Sequence, residues 1–252
     1  MHYASADEGI RAPGLRLVLT AGVPGPWGEA AKAIFHLKKL HYLPVRQDAG
    51  VVDPELLRWT NQSGAPAAMY ESERPRTGWA EILFLAERLA PEPRLVPRDP
   101  ELRAQMLGLC FELCGEQGLG WCRRLELMAR QPAAAPPEAG SMQWKYGIAD
   151  AADTAAATRR IGEILGVLAA QLARGRASGG RYFFGAELCA LDLYWAAFSN
   201  MLAPMPPERC PIPERMRPIY AYLAPGAAPV DARLLEHRDF VFDRHLPLPM
   251  DF

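Results

Sequence analysis

The residues of this chain best placed to do chemistry lie between Thr20 and Glu29, in the order Thr-Ala-Gly-Val-Pro-Gly-Pro-Trp-Gly-Glu. An apolar run of strand length, Leu15 to Leu19, enters this Gly/Pro loop, and Ala30, Ala33, Ile34, Leu37 and Leu40 leave it with helical spacing. Pro26 suits a first helical turn, where its missing N–H costs nothing. Glu29 suits the positive end of the helix dipole. A strand that ends in a loop and opens a helix aims unpaired main-chain N–H groups at one spot, which takes an anion or a thiolate. The same layout also describes an ordinary strand–helix unit with no ligand. Thr20 is either a hydroxyl donor into that spot or a strand-end threonine bonded to local backbone.

The cysteines are the other reactive residues. There are five, Cys110, Cys114, Cys122, Cys189 and Cys210, an odd number in a chain of this size. Without a signal-peptide layout in MHYASADEGIRAPG, they read as reduced thiols of a cytoplasmic protein. Cys110 and Cys114 fall in an apolar helical stripe, and neither a Cys-x-x-Cys pair nor a nearby His pair accompanies them. Core packing is expected of them, and no metal site.

The elements that must hold the loop follow in order. Leu43 to Gln47 reads as a strand parallel to the first, joined by a right-handed crossover. Asp53 caps and Pro54 starts a short helix to Gln62. Ala67 to Tyr70 is a strand entered at Pro66, and residues 71–77 hold a tight hairpin with a weak edge strand. A helix then runs from Gly78 to Leu89, striped by Ile82, Leu85, Ala86 and Leu89. Pro91, Pro93, Pro97 and Pro100 end it. Beyond them the pattern is helical. One long helix is expected over 101–129, weakened by Gly115, Gly118 and Gly120, with others over 154–173, 189–202, 216–223 and 231–246. The last is striped by Leu235, Phe242 and Leu246, with His237 and His245 read as surface.

At 252 residues, half of them hydrophobic, the chain accommodates a sizeable core. The organisation expected is a flexible arm over 1–14, an α/β domain over 15–90, a linker over 91–100 and an all-α domain over 101–252. A net charge of −1 gives no electrostatic case for nucleic acid or an anionic membrane, and no apolar run reaches the ~18 residues of a membrane span.

This combination resembles the cytosolic glutathione transferases, over residues 15 to about 223. Gly25-Pro26-Trp27 is similar to the family's catalytic segment, in which Ser or Cys precedes Pro and an aromatic residue. Ala65-Pro66 matches the residue and cis-proline that meet the peptide backbone of glutathione. Thr77-Gly78-Trp79-Ala80 looks like the family's acidic-Ser-x-Ala motif. Phe183 to Asp192 is similar to its Phe-x-Gly segment and Ser/Thr-x-x-Asp capping box, with Asp192 accepting the N–H of Cys189. The departures fall on the site. Gly25 stands where the hydroxyl or thiol would be, Thr77-Gly78 replaces the acidic-Ser pair, and Cys189 is a weaker cap than Ser or Thr.

The resemblance implies a thioredoxin-like domain followed by a helical domain, glutathione as co-substrate, a small hydrophobic electrophile as second substrate, and a homodimer. It places glutathione on Gly25, Pro26, Trp27, Ala65, Pro66, Thr77 and Gly78. Trp27 is either a stacking surface or an anchor between domains. Trp121, Arg123, Arg124, Trp144, Lys145 and Tyr146 are candidates for lining the second-substrate pocket. Because Gly25 has no hydroxyl, the thiolate is left to main-chain N–H groups around Trp27 and Gly28, with Thr20 as the side-chain alternative. The same departures also fit a non-catalytic glutathione transferase-like binding or interaction module.

Overall fold

The computed structural model describes residues 1–130, 141–147 and 150–252. The N-terminal half is a small sheet with helices. β1 (Leu15–Thr20) lies at its centre, parallel to β2 (Leu43–Gln47) and antiparallel to β3 (Ala67–Tyr70), in the order β2-β1-β3. β1 is apolar apart from Arg16 and Thr20 and almost wholly buried, as a central strand covered on both faces must be. Residues 1–14, expected as a flexible arm, are ordered instead. Ala4 pairs with Val45 beyond β2, and α1 (Ala6–Arg11) is closed by a Ser5–Glu8 capping box. A local cap and an unpaired sheet edge outweigh the segment's polar composition.

α2 (Pro26–Leu37) packs Ala30, Ile34 and Phe35 into the core, and Asp53 caps α3 (Pro54–Thr60). α4 (Trp79–Leu89) follows a turn at Glu71, and the expected edge strand reduces to a single bridge between Ala68 and Arg76. Lys38, buried at the end of α2, donates to the carbonyls of Ala90 (2.7 Å) and Pro93 (2.9 Å) and pairs with Glu87 (2.6 Å). That contact fixes the proline-rich segment against the sheet domain.

The rest is helical. The long helix expected over 101–129 is two, α5 (Pro100–Cys114) and α6 (Leu119–Met128). The break is set at Gly118, where an added Cβ would stand 2.7 Å from the carbonyl oxygen of Glu112. Only glycine fits so close to backbone. α7 (Met142–Tyr146), capped by Ser141, lies where no element was expected. The loop expected over 131–140 falls outside the described residues. α8 (Ala151–Ala177), the buried α9 (Ala190–Ser199), α10 (Arg217–Tyr220) and α11 (Ala232–His245) complete the chain.

Two contacts of the helical half differ from expectation. α11 buries Leu234, His237, Arg238, Val241 and Phe242, so its inner stripe is set one residue earlier than Leu235 implied. His237 is therefore core: its Nε2 lies 2.8 Å from Asp192 Oδ1. Asp192 also accepts the N–H groups of Cys189 (2.8 Å) and Phe183 (3.1 Å), as its capping position predicts for the first. Arg123 is fully enclosed. It pairs with Glu126 at 2.8 Å and donates to the carbonyls of Met201, Tyr220 and Tyr222, tying α6 to the loop after α9 and to the end of α10. Among the described residues no helix is long and apolar enough to cross a membrane.

Candidate functional site

The start of α2 is built by its sequence to leave donors open. Gly25 is the N-cap, with extended backbone (φ −64°, ψ 117°) and no side chain to bond the first turn. Its own N–H is satisfied by the Val23 carbonyl at 2.9 Å, and its carbonyl accepts Glu29 N–H at 2.9 Å. Pro26 has no N–H. The N–H groups of Trp27 and Gly28 have no hydrogen-bond partner among the described residues. A Cβ on Gly25 would meet nothing within 4 Å, so the missing side chain leaves open space in front of those donors.

That space is a cleft of about 340 Å³ between the two halves of the molecule. Its N-terminal wall carries Thr20, Gly25, Trp27, Gly28, Gly64 and Ala65. The opposite wall carries Arg124 and Leu127 of α6, Met142, Lys145 and Tyr146 at α7, and Tyr220 of α10. The structure thus brings Thr20, Gly25, Trp27 and Ala65 to one cavity. Pro26 and Pro66 are buried just behind it, and the Ala65–Pro66 peptide is cis. Trp27 serves as an anchor: its indole N–H donates to the Cys114 carbonyl at 2.9 Å and its ring meets Phe198 edge-on.

Three of the candidates are otherwise engaged. Thr20 points its hydroxyl proton at Gln47 Oε1 (2.7 Å), and Gln47 uses its amide N–H on the carbonyls of Asp48 and Val51. A hydroxyl has one proton to give, so Thr20 is bonded, although to a neighbouring side chain and not to local backbone. Thr77 and Gly78 do not line the cleft. Their N–H groups both go to Glu81 Oε2, at 3.1 and 3.0 Å, and Glu81 is in turn paired with Arg74 at 2.8 Å. A carboxylate is therefore present at the start of α4, one turn later than the motif position. Its sequence signal was the Gly78-x-x-Glu81 spacing, a capping box without the hydroxyl.

The far wall is cationic and aromatic. Tyr146 stacks edge-on against Trp121 at 4.6 Å, whereas Trp144 is exposed and Arg123 is sealed in the core, so neither of these joins the cleft. Burial, then the charge of Arg124, hold the Lys145 ammonium below its usual range. Burial pushes the Tyr146 and Tyr220 phenols up, with Arg124 pulling both the other way. Glu29 at the cleft floor is raised by burial and partly held down by Lys32, its partner at 2.9 Å.

A larger cavity of about 440 Å³ lies on the other side of α2, walled by Phe35, Tyr42, Phe242, Leu246 and Met250. It shares Glu29 with the cleft, but none of the sequence-predicted site residues lines it. α11 faces this second cavity through Phe242 and contributes nothing to the cleft lining. Among the described residues no group of His, Cys, Asp and Glu is placed to hold a metal ion.

No protein-family model matches the chain, and no curated protein matches it in sequence. Solved structures match it in fold. A glutathione S-transferase of Methylobacterium radiotolerans, in complex with glutathione sulfonate, aligns with a TM-score of 0.63 at 17% identity, over 94% of this chain and 97% of its own. The rice glutathione transferase in complex with glutathione gives 0.62 at 19% identity, over 95% and 93%. The tau-class enzyme of mango, Mangifera indica, gives 0.61 at 17% identity, over 94% of each chain. The chain has the glutathione transferase fold, a thioredoxin-like part followed by a helical part.

Proposed function

We propose that this chain is a glutathione-dependent transferase in which main-chain donors, not a side chain, activate the thiol. The observation that carries the reading is the uncapped start of α2, whose Trp27 and Gly28 N–H groups open onto the cleft beside Ala65. Glutathione lies along the N-terminal wall, over Gly25, Pro26, Trp27, Ala65 and Pro66, with its sulfur toward those donors. Thr77, Gly78 and Glu81 hold one another at the start of α4 and do not line this cleft. The thiol proton leaves to solvent, the thiolate attacks the electrophilic carbon, and the leaving group departs with its bonding pair.

The magnitudes are adequate. A free thiol titrates near 8.5, and each unit of lowering needs ~1.4 kcal/mol of thiolate stabilisation. Two hydrogen bonds to an anion supply about 1.5–3 kcal/mol each. Even the lower figure lowers the thiol by roughly two units, enough for a majority of thiolate at neutral pH.

The second substrate is a small electrophile with an apolar body, which Leu127, Met142 and Tyr146 suit. We place the domain boundary in the linker over 91–100 and the protein in the cytoplasm. We infer a homodimer, supported by the exposed Leu102 and Phe111 on α5. Sedimentation at micromolar concentration should return twice the chain mass.

The test is a titration with glutathione followed by Trp fluorescence, since Trp27 lines the cleft, then conjugation of 1-chloro-2,4-dinitrobenzene. Saturable quenching below millimolar glutathione and enzyme-dependent chloride release are expected. No saturation up to millimolar peptide would remove the proposal. Saturation without turnover of any electrophile would favour the second reading, a binding module, which the commitments of Thr20 to Gln47 and of Glu81 to Thr77 and Gly78 support.

A further inference from the structure

Two cations line the cleft. Arg124 comes from α6 and Lys145 from α7, and both line the same wall. Neither has an acidic partner among the described residues, and Arg124 Nε is buried with no acceptor. Arg123 is matched by Glu126, Lys38 by Glu87 and Lys32 by Glu29, while the buried Arg16 donates to the carbonyls of Gly14 and Glu71. Glu29, which also lines the cleft, is already spent on Lys32.

The two cations also feel one another. The charge of Arg124 acts on Lys145, Tyr146 and Tyr220, which places it at the centre of this wall. Two like charges facing one cavity, Arg124 half-buried and Lys145 at its solvent-exposed rim, favour the entry of a counter-charge. A planar guanidinium beside an ammonium suits a carboxylate or another oxyanion, the first gripping two oxygens and the second acting as a point charge. Around them the wall is apolar, with Leu127, Met142 and Ile219.

We propose that the second substrate is an organic anion, an electrophile with an apolar body whose acid group is held between Arg124 and Lys145. The inference rests on the transferase reading for the word substrate, and on the cleft alone for the anion. Lys145 reaches across until its Nζ stands 3.6 Å from where a Cβ on Gly64 would lie. The ammonium thus stands beside the seat of glutathione as well, and the experiment must tell whose acid group it meets.

The probes are 3,5-dinitrobenzoate and its neutral amide, matched in shape and unreactive toward thiols, titrated calorimetrically into the full chain with and without glutathione. The acid is expected to bind about tenfold tighter than the amide, with a preference that falls as salt rises. Arg124→Gln and Lys145→Gln should each erode the preference, and the double variant should abolish it. Lys145→Arg, which keeps the charge, should retain it. Removing one of two facing like charges relieves the fold, so the neutral variants remain measurable, with circular dichroism as the check. Equal binding of acid and amide overturns the proposal. So does a double variant that loses glutathione while acid and amide bind alike, because the cations would then serve the peptide's own carboxylate. A persistent acid preference in a protein that binds no glutathione upholds the anion site and removes only the transferase reading.

Discussion

The indole N–H of Trp27 donates to the main-chain carbonyl of Cys114 at 2.9 Å, joining the first turn of α2 to the last turn of α5. The ring also lies against Phe198 with centroids 4.9 Å apart, and Gly120 leaves it room, since a Cβ there would come within 2.8 Å of it. One side chain therefore sets both the position of the open donors and the width of the cleft.

Trp27→Phe should keep much of the ring packing and lose the hydrogen bond. The cost is about 1–3 kcal/mol, because Cys114 O is left without its donor. Trp27→Ala should cost more, ~3–5 kcal/mol, through the cavity it leaves. Urea unfolding of the two variants separates these terms. Glutathione affinity should fall further than stability alone accounts for, since the donors of Trp27 and Gly28 move with the ring. Unchanged affinity in a folded Trp27→Ala protein would show that the start of α2 does not hold the peptide.

Thr20 and Gly25 make a paired test of main-chain activation. Thr20→Val removes the donor to Gln47 and should destabilise by ~1 kcal/mol, while the pKa of bound glutathione stays where it was. Gly25→Ala adds a Cβ into open space, so thiol activation should again be preserved. The thiolate absorbance near 240 nm, followed against pH, reads both variants. A clear rise of the bound thiol pKa in Thr20→Val would return the hydroxyl to the chemistry and discard the main-chain account.

The five cysteines should be silent in the folded protein. All are buried, and burial pushes Cys122 and Cys210 to about 11 and the other three well above the ordinary thiol range. A thiol at about 11 is roughly one part in a thousand thiolate at pH 8, and the thiolate is the reactive form. Native protein should therefore resist a disulfide reagent at pH 8 and yield all five thiols only when unfolded. A fast-reacting thiol under native conditions would reopen cysteine chemistry for this chain.

The strands and the loop at Gly25 were legible because their signals are local. Leu43–Gln47 and Ala67–Tyr70 stand where apolar runs and flanking turn residues put them. The capping role of Asp192 was legible for the same reason, three residues from Cys189. Its bond to His237 was not, because the partner lies 45 residues on and periodicity carries no pairing information. A weaker signal did exist: Leu234 and Val241 lie three before and four after His237, on one helical face. The break at Gly118 depends on carbonyls of the preceding helix approaching that position, and no composition rule announces such an approach. Arg123 and Arg124 are adjacent in sequence, yet one is sealed with Glu126 and the other faces the cleft. Their fates diverge by the 100° turn between neighbours on a helix, about which charge alone is silent.

Lys145 gives the fold a pH dependence of known sign. Its ammonium titrates below the usual ~10.4 because of burial and of Arg124, while the unfolded chain keeps the ordinary value. Between those two values the unfolded state binds more protons, so unfolding free energy rises with pH across that window. The favourable contribution is present in full above ~10.4 and is lost as pH falls through the depressed value, which leaves the whole penalty in place at neutral pH. Lys145→Gln removes the penalty. The variant should be at least as stable as the parent at pH 7, with the parent gaining on it as pH climbs toward 10. Tyrosine and cysteine ionisation is shared by the two proteins and cancels in the difference. Adding 3,5-dinitrobenzoate at pH 7 should raise the parent's melting temperature by more than the variant's, since the anion supplies the missing counter-charge. A Lys145→Gln protein that melts well below the parent at pH 7 would mean that the ammonium already has a favourable partner, and the unpaired-cation argument would fall with it.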